Sequence, residues 1–307
     1  MTDENTAQEA LRCGFVALIG APNAGKSTLL NRMVGGKVAI VTHKVQTTRS
    51  RIRGIALHEN TQLVFVDTPG IFTPRRRLDR AMVSAAWTGA ADADLIVLLV
   101  DCQGGVSADV KRIITGLTKE RRKAVLALNK IDLLRREQLL ALTQELNEMF
   151  EFEQTFMISA EKGHGVEDLR AYLAGRLPTG PWLYPEDQMA DVPLRSLASE
   201  ITREKLYLRL HQELPYSLTV ETESWKDKKD GSARVEQVIY VQRDGHKKIL
   251  IGKNGEGIKT IGKLAREEMQ DEFGMKIHLF LFVKVREKWG DDPERYEMMG
   301  LEFPKDK

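Results

Sequence analysis

Hydrophobic positions in the first half of the chain fall into short blocks. Apolar runs rich in β-branched residues occur at 15–19, 62–66, 95–100, 124–128 and 155–158. Most lack strict alternation, which predicts strands buried on both faces, and the longer segments between them have helical spacing, as in a parallel βαβ sheet. Residues 51–58, then Glu59-Asn60 and the run from Gln62, predict a hairpin, so one strand pair is expected to be antiparallel. This half reads as an α/β domain over residues 13–178 with a mixed, mostly parallel sheet.

The pattern breaks at Pro178-Thr-Gly-Pro181-Trp-Leu-Tyr-Pro185, where three prolines fall within eight residues. Such a stretch predicts an extended, stiff linker over 179–190. Beyond it the periodicity predicts a helix over 192–214, strands over 217–223 and 234–241, and a short helix over 246–251. A helix over 256–273 and an alternating strand over 276–285 follow. These make a smaller α+β domain over 191–290. Residues 1–12 are expected to be a flexible tail, and 291–307 a second one.

A length of 307 residues agrees with two domains. With 42% hydrophobic and 29% charged residues, the composition is that of a globular chain and excludes collagenous or disordered classes. Cys13 and Cys102 show neither metal-ligand spacing nor a disulfide framework, so a reducing compartment is expected. The first ten residues carry acids where a secretory signal would carry bases, and the run at 95–100 is far shorter than the roughly 20 residues of a membrane span. A soluble, cytoplasmic protein is expected. The net charge of +2 identifies no partner, because only the local distribution of charge could mark a nucleic-acid surface.

The chemistry begins directly after the first predicted strand, at Gly20-Ala21-Pro22-Asn23-Ala24-Gly25-Lys26-Ser27, with Thr28 opening a helical stretch. This is G-x-x-x-x-G-K-S in the strand-to-helix context that a phosphate-binding loop requires. Backbone N–H groups and the helix N-terminus would converge on the phosphates, Lys26 would reach the β- and γ-phosphates, and the Ser27 hydroxyl would ligate Mg²⁺. The loop alone does not separate kinases, ATPases and GTPases.

Asn129-Lys130-Ile131-Asp132 follows another strand and has the spacing N-K-x-D. The Asp132 carboxylate could accept from the N1–H and 2-amino group of guanine, donors that adenine does not present there, and this disfavours a kinase. Asn129 would tie the base loop to the phosphate loop, and Lys130 would lie over the ring. Asp67-Thr68-Pro69-Gly70 and Ser159-Ala160-Glu161 end two more strands. Asp67 would hold Mg²⁺ through water, the Gly70 N–H would touch the γ-phosphate, and the Ala160 backbone would donate to guanine O6. Within Val45-Gln-Thr-Thr-Arg49, Thr48 rather than Thr47 is assigned to Mg²⁺ and the γ-phosphate. Loss of that phosphate would release this segment and the one after Asp67.

In this order the five regions resemble the translation-factor-related branch of GTPases. The resemblance implies a P-loop GTPase domain that binds GTP or GDP with Mg²⁺, with Lys26, Thr48, Asp67 and Gly70 in the hydrolytic machinery. That family commonly has a glutamine after D-x-x-G, whereas this chain has Ile71, which cannot polarise water. Slow intrinsic turnover is therefore expected. Relatives with such a replacement are similar in using other means, including a K⁺ ion held by a phosphate-loop asparagine; Asn23 occupies that position, although a loop-shaping role reads equally well.

Gly252-Lys253-Asn254-Gly255 lies between two apolar-periodic helices and before a strand, the setting of the G-x-x-G loop of KH domains. From 243 to 263 six basic residues, including Lys247, Lys248, Lys253 and Lys259, stand against Asp244 and Glu256. Ile249, Ile251 and Ile258 would line an apolar groove for unstacked bases; a solvated helix face and core positions would leave the same pattern.

The element order is similar to the type II KH arrangement. Nearly the whole chain resembles a bacterial GTPase family of small-subunit ribosome assembly that joins these two domains. That resemblance implies binding to 16S rRNA near its 3′ end and to the pre-30S particle, under control of the GTP state. It also implies a monomer in the cytoplasm, with weak peripheral association at the inner membrane. The alternative is a nucleotide-gated RNA-binding or membrane-associated regulatory module with no part in assembly.

Overall fold

Strand β1 (Arg12–Gly20) has an almost continuously buried sequence because sheet neighbours and helices cover it on every side. The computed structural model describes residues 10–304. Around β1 form β2 (Ile52–His58), β3 (Thr61–Asp67), β4 (Leu95–Asp101), β5 (Val125–Asn129) and β6 (Thr155–Ile158), in the order β2-β3-β1-β4-β5-β6. All neighbours run parallel except β2 and β3, the predicted hairpin. Helices α1 (Lys26–Val34), α2 (Arg77–Ala91), α3 (Ala108–Lys119) and α4 (Arg136–Met149) lie between successive strands, and α5 (Val166–Arg176) follows β6. Helix α3 starts at Ala108 because the Ser107 hydroxyl caps it, accepting from the Val110 N–H at 3.3 Å.

Register brings the chemistry-bearing positions to one edge. Leu18 faces Asp67, Asp101 faces Asn129, and Asn129 faces Ile158, all at the carboxyl ends of parallel strands, where ligands bind in open α/β sheets.

The chain divides into two compact units. The first comprises the chain through Gly36, Arg51–Phe72 and Ala86–Asp191; the second takes Lys37–Ser50, Thr73–Ala85 and everything from Val192 onward. Two expected boundaries change. The linker over 179–190 is not free-standing: Thr179 bridges to Arg12 and Ala190 to Gly54, and the Gln62 side-chain oxygen accepts from the Leu183 and Tyr184 N–H groups at 2.9 and 3.0 Å. The first unit is also not one continuous stretch, since residues 37–50 and 73–85 pack elsewhere. Of the expected tail over 1–12, residues 1–9 lie outside the described residues, and Arg12 already belongs to β1.

In the second unit, α6 (Leu194–Arg209), β7 (Leu218–Asp227), β8 (Ala233–Val241), α7 (Asp244–Ile251), α8 (Glu256–Phe273) and β9 (Ile277–Val285) follow in turn. The sheet order is β7-β8-β9, antiparallel then parallel. Its core joins Leu206, Leu218, Val220, Ile239, Leu250 and Ile261 with a neighbouring cluster around Ile201, Val235, Ala265, Met269 and Ile277.

The expected tail over 291–307 is a correction: through residue 304 it is folded. Trp289 is buried, α9 (Pro293–Met298) is capped by Asp292, and the ring of Tyr296 packs on Ala81, Met82 and Ala85. No helix among the described residues is long and apolar enough to cross a membrane.

Candidate nucleotide-binding and RNA-binding sites

The loop Ala21–Ala24 turns the chain from β1 into α1, with Asn23 at φ 63° and Gly25 at φ 97°. Lys26 folds back over it, its ammonium donating to the carbonyls of Gly20 at 3.2 Å and Ala21 at 3.1 Å. Burial pushes this ammonium down to about 8, with the Asp67 charge pulling the other way. Ser27 and Thr28 stand in the first turn of α1, where helix dipole and N–H groups favour an anion.

The Ser27 hydroxyl donates to an Asp67 carboxylate oxygen at 2.6 Å. Two adjacent oxygen donors of this kind fit Mg²⁺, which takes few protein ligands and keeps its waters. Thr68 is buried, its hydroxyl donating to the Leu18 carbonyl at 2.8 Å. Pro69 is likewise buried, and Gly70 lies against the phosphate loop so closely that a Cβ there would come within 2.9 Å of the Pro22 nitrogen. Only glycine fits. The Ile71 N–H donates to the Gly20 carbonyl at 3.1 Å and its side chain is wholly buried, so it offers water no polar group.

Asn129 joins three loops. Its amide donates to the Ala24 carbonyl at 2.8 Å and its side-chain oxygen accepts from the Ala160 N–H at 2.9 Å, the tie expected between base loop and phosphate loop. Lys130 adopts φ 66°, and its ammonium pairs with Asp101 at 2.6 Å. Asp132 is exposed; a hydrogen bond from Ser159 holds its carboxyl below the ordinary range. Ser159 is buried and Glu161 exposed. The sequence reading missed Asp101, although its place at the end of β4 was a usable signal. It also missed Arg32, which donates to the carbonyls of Ala160, at 3.2 Å, and Glu161.

Thr48 belongs to the second unit and is buried there. Arg49, which the sequence reading passed over, is buried as well. Of the basic run 75–77, Arg76 pairs with Glu213 at 2.8 Å and Arg77 with Asp291 at 3.3 Å.

In the same unit Gly252 and Gly255 adopt φ of 73° and 78° and Asn254 adopts 51°, so the G-x-x-G loop is a tight left-handed turn between α7 and α8. Lys253 and Asn254 are exposed at its tip, with Lys248 and Lys259 exposed on the flanking helices and Lys247 half-buried. The three isoleucines separate: Ile249 is 65% exposed, Ile251 is half-buried, and Ile258 packs on the core. Ile258 is thus chiefly a core residue, which narrows the expected apolar groove.

A phosphate loop, an N-K-x-D base loop and an α-β-β-α-G-x-x-G-α-β fold in one chain define a GTPase carrying a type II KH domain. Family models agree: one described as "50S ribosome-binding GTPase" matches residues 15–130, and one described as "KH domain" matches residues 213–290. The chain belongs to the Era GTPase family. It is 63% identical over 310 residues to GTPase Era of Sinorhizobium medicae, covering 99% of this chain and all of that one. It is also 63% identical over 294 residues to that of Agrobacterium fabrum, covering 96% and 93%. Among solved structures, Era in complex with MgGDPNP and nucleotides 1506–1542 of 16S ribosomal RNA superposes with a TM-score of 0.89 at 36% identity, covering 94% of this chain and 99% of that one. An Aquifex aeolicus Era variant bound to GDP and AlF₄⁻ gives the same TM-score at 35% identity and the same coverage.

Proposed function

We propose that this GTPase is a small-subunit assembly factor that binds the 3′ end of 16S rRNA through its KH unit in a manner governed by GTP. The observation that carries this reading is the near-full-length likeness, at 36% identity, to an Era captured with both a GTP analogue and that RNA. The family model naming the 50S particle spans only residues 15–130, so the whole-chain likeness weighs more on the choice of subunit.

In this reading Asp132 accepts from guanine and the Ala160 N–H faces O6, while Gly20 to Thr28 enclose the phosphates. Ser27 and Thr48 ligate Mg²⁺, and Asp67 holds it through water; the ion neutralises charge on the β- and γ-oxygens. Gly70 donates its N–H to the γ-phosphate, and Asn23 is the candidate ligand for K⁺, which would supply charge where an arginine finger does elsewhere. Lys253 and the loop backbone hold the RNA sugar-phosphate chain, with Lys247, Lys248 and Lys259 adding charge and Ile249 and Ile251 meeting the bases. The protein acts in the cytoplasm as a monomer.

The test is the affinity for a 16S 3′-end oligonucleotide with a GTP analogue and with GDP. We expect tighter binding with the analogue by about fivefold or more, and none of this difference with a scrambled oligonucleotide. Equal affinities for the two nucleotide states sink the coupling.

A further inference from the structure

Thr48 is held from both sides by the second unit. The carbonyl of Thr47, just before it, accepts a hydrogen bond from Arg203, itself paired with Glu200. Just after it, Arg49 is only 4% exposed. Its terminal nitrogens donate to the Leu218 carbonyl at 2.8 Å, the Tyr207 hydroxyl at 2.8 Å and the Pro215 carbonyl at 3.4 Å. The guanidinium lies 5.8 Å from the Tyr207 ring centre and 5.4 Å from a Trp289 ring centre. Trp289 is fixed in turn by its indole N–H, which donates to the Ser217 carbonyl at 3.1 Å.

Withdrawing a guanidinium from water is costly unless its donors are matched. Here three oxygens accept from its two terminal nitrogens and two aromatic rings flank it, while its buried Nε has no partner among the described residues. An aliphatic side chain would fill the same space without fixing direction. The rigid fork of arginine sets both depth and direction, and with the Arg203 bond it pins the peptide on each side of Thr48.

We propose that Arg49 is a positioning residue for GTP hydrolysis: seated between Tyr207 and Trp289, it fixes the backbone of Thr48, so the KH unit helps to set the γ-phosphate sensor. This inference rests on the assignment of Thr48 made above. It also gives the folded C-terminal stretch a role, since Trp289 forms one wall of the seat.

The experiment compares single-turnover hydrolysis and GDP affinity for the full-length chain and for Thr48→Ala, Arg49→Met, Arg49→Lys and Tyr207→Phe. Arg49→Met is expected to slow hydrolysis by about tenfold or more, since small misplacements near the reacting centre cost that much or more, with GDP affinity within about twofold. Arg49→Lys should recover part of the rate. Tyr207→Phe, which deletes one acceptor and keeps the ring, should slow hydrolysis by about twofold to threefold. A residue that only supported the fold would not separate turnover from GDP affinity. Wild-type hydrolysis by Arg49→Met beside a crippled Thr48→Ala overturns the proposal and leaves the Thr48 assignment standing; wild-type hydrolysis by Thr48→Ala overturns both. Should Arg49→Met fail to fold, Tyr207→Phe decides, and unchanged turnover there overturns the proposal.

Discussion

In the proposed reading, base selection at Asp132 depends on two acceptor oxygens, and a hydrogen bond from Ser159 holds that carboxyl below its ordinary range. Converting it to an amide turns one acceptor into a donor that opposes the guanine 2-amino group and N1–H. The Asp132→Asn variant should lose about 3 kcal/mol of GTP binding, roughly a hundredfold, and favour xanthosine triphosphate. Competition calorimetry with the two nucleotides measures this, and an undiminished preference for GTP would refute the guanine assignment. The loop tie of Asn129 and the need for glycine at Gly70 have local causes: few other side chains can span two loops, and none fits beside Pro22. Arg49 was not legible, because a buried arginine and a solvated one look alike in a sequence.

At the scale of elements, the strands and helices followed the periodicity closely, since burial on both faces leaves a continuous apolar run and burial on one face leaves a helical stripe. The stretch after β9 defeated that logic. Its apolar positions are few and irregular, yet Tyr296 is fully buried, meeting the Phe303 ring at 4.9 Å and donating its hydroxyl to the Gly290 carbonyl at 2.6 Å. Truncating so enclosed an aromatic costs about 3–5 kcal/mol. Tyr296→Ala should therefore destabilise the second unit by about that amount in denaturant titrations followed by a probe in that unit, and should increase proteolysis across residues 73–85, of which Leu78, Ala81, Met82 and Ala85 share its apolar cluster. A loss below about 1 kcal/mol would mean the C-terminal stretch is dispensable.

At the scale of the whole molecule, the second unit is assembled from three separate parts of the chain, and charge helps to join them. Lys37 pairs with Glu204 at 2.7 Å and with Glu268, while Lys205 bonds the same two carboxylates. Burial would raise the Glu268 carboxyl, but hydrogen bonds from Lys205 and Lys37 outweigh it and hold the group below 4.5. Burial would lower the Lys37 ammonium, but the two glutamates hold it above 10.5. A depressed carboxyl contributes stability that is complete above about pH 4.5 and is lost as pH falls through its folded value. A raised ammonium contributes stability that is complete below about pH 10.5 and is lost as pH rises beyond. Glu268→Gln should accordingly flatten the acid arm of the stability curve below about pH 4.5 and lower stability at pH 7; an acid arm parallel to that of the unaltered protein would rule the cluster out as its source. The sequence by itself determined the motifs, their order and the two fold classes, because local backbone preferences and side-chain chemistry act over a few residues. Only the tertiary structure decided that residues 37–50, 73–85 and the C-terminal stretch belong to one compact unit, because that packing depends on which faces meet across more than a hundred residues and leaves no periodic trace in any one segment.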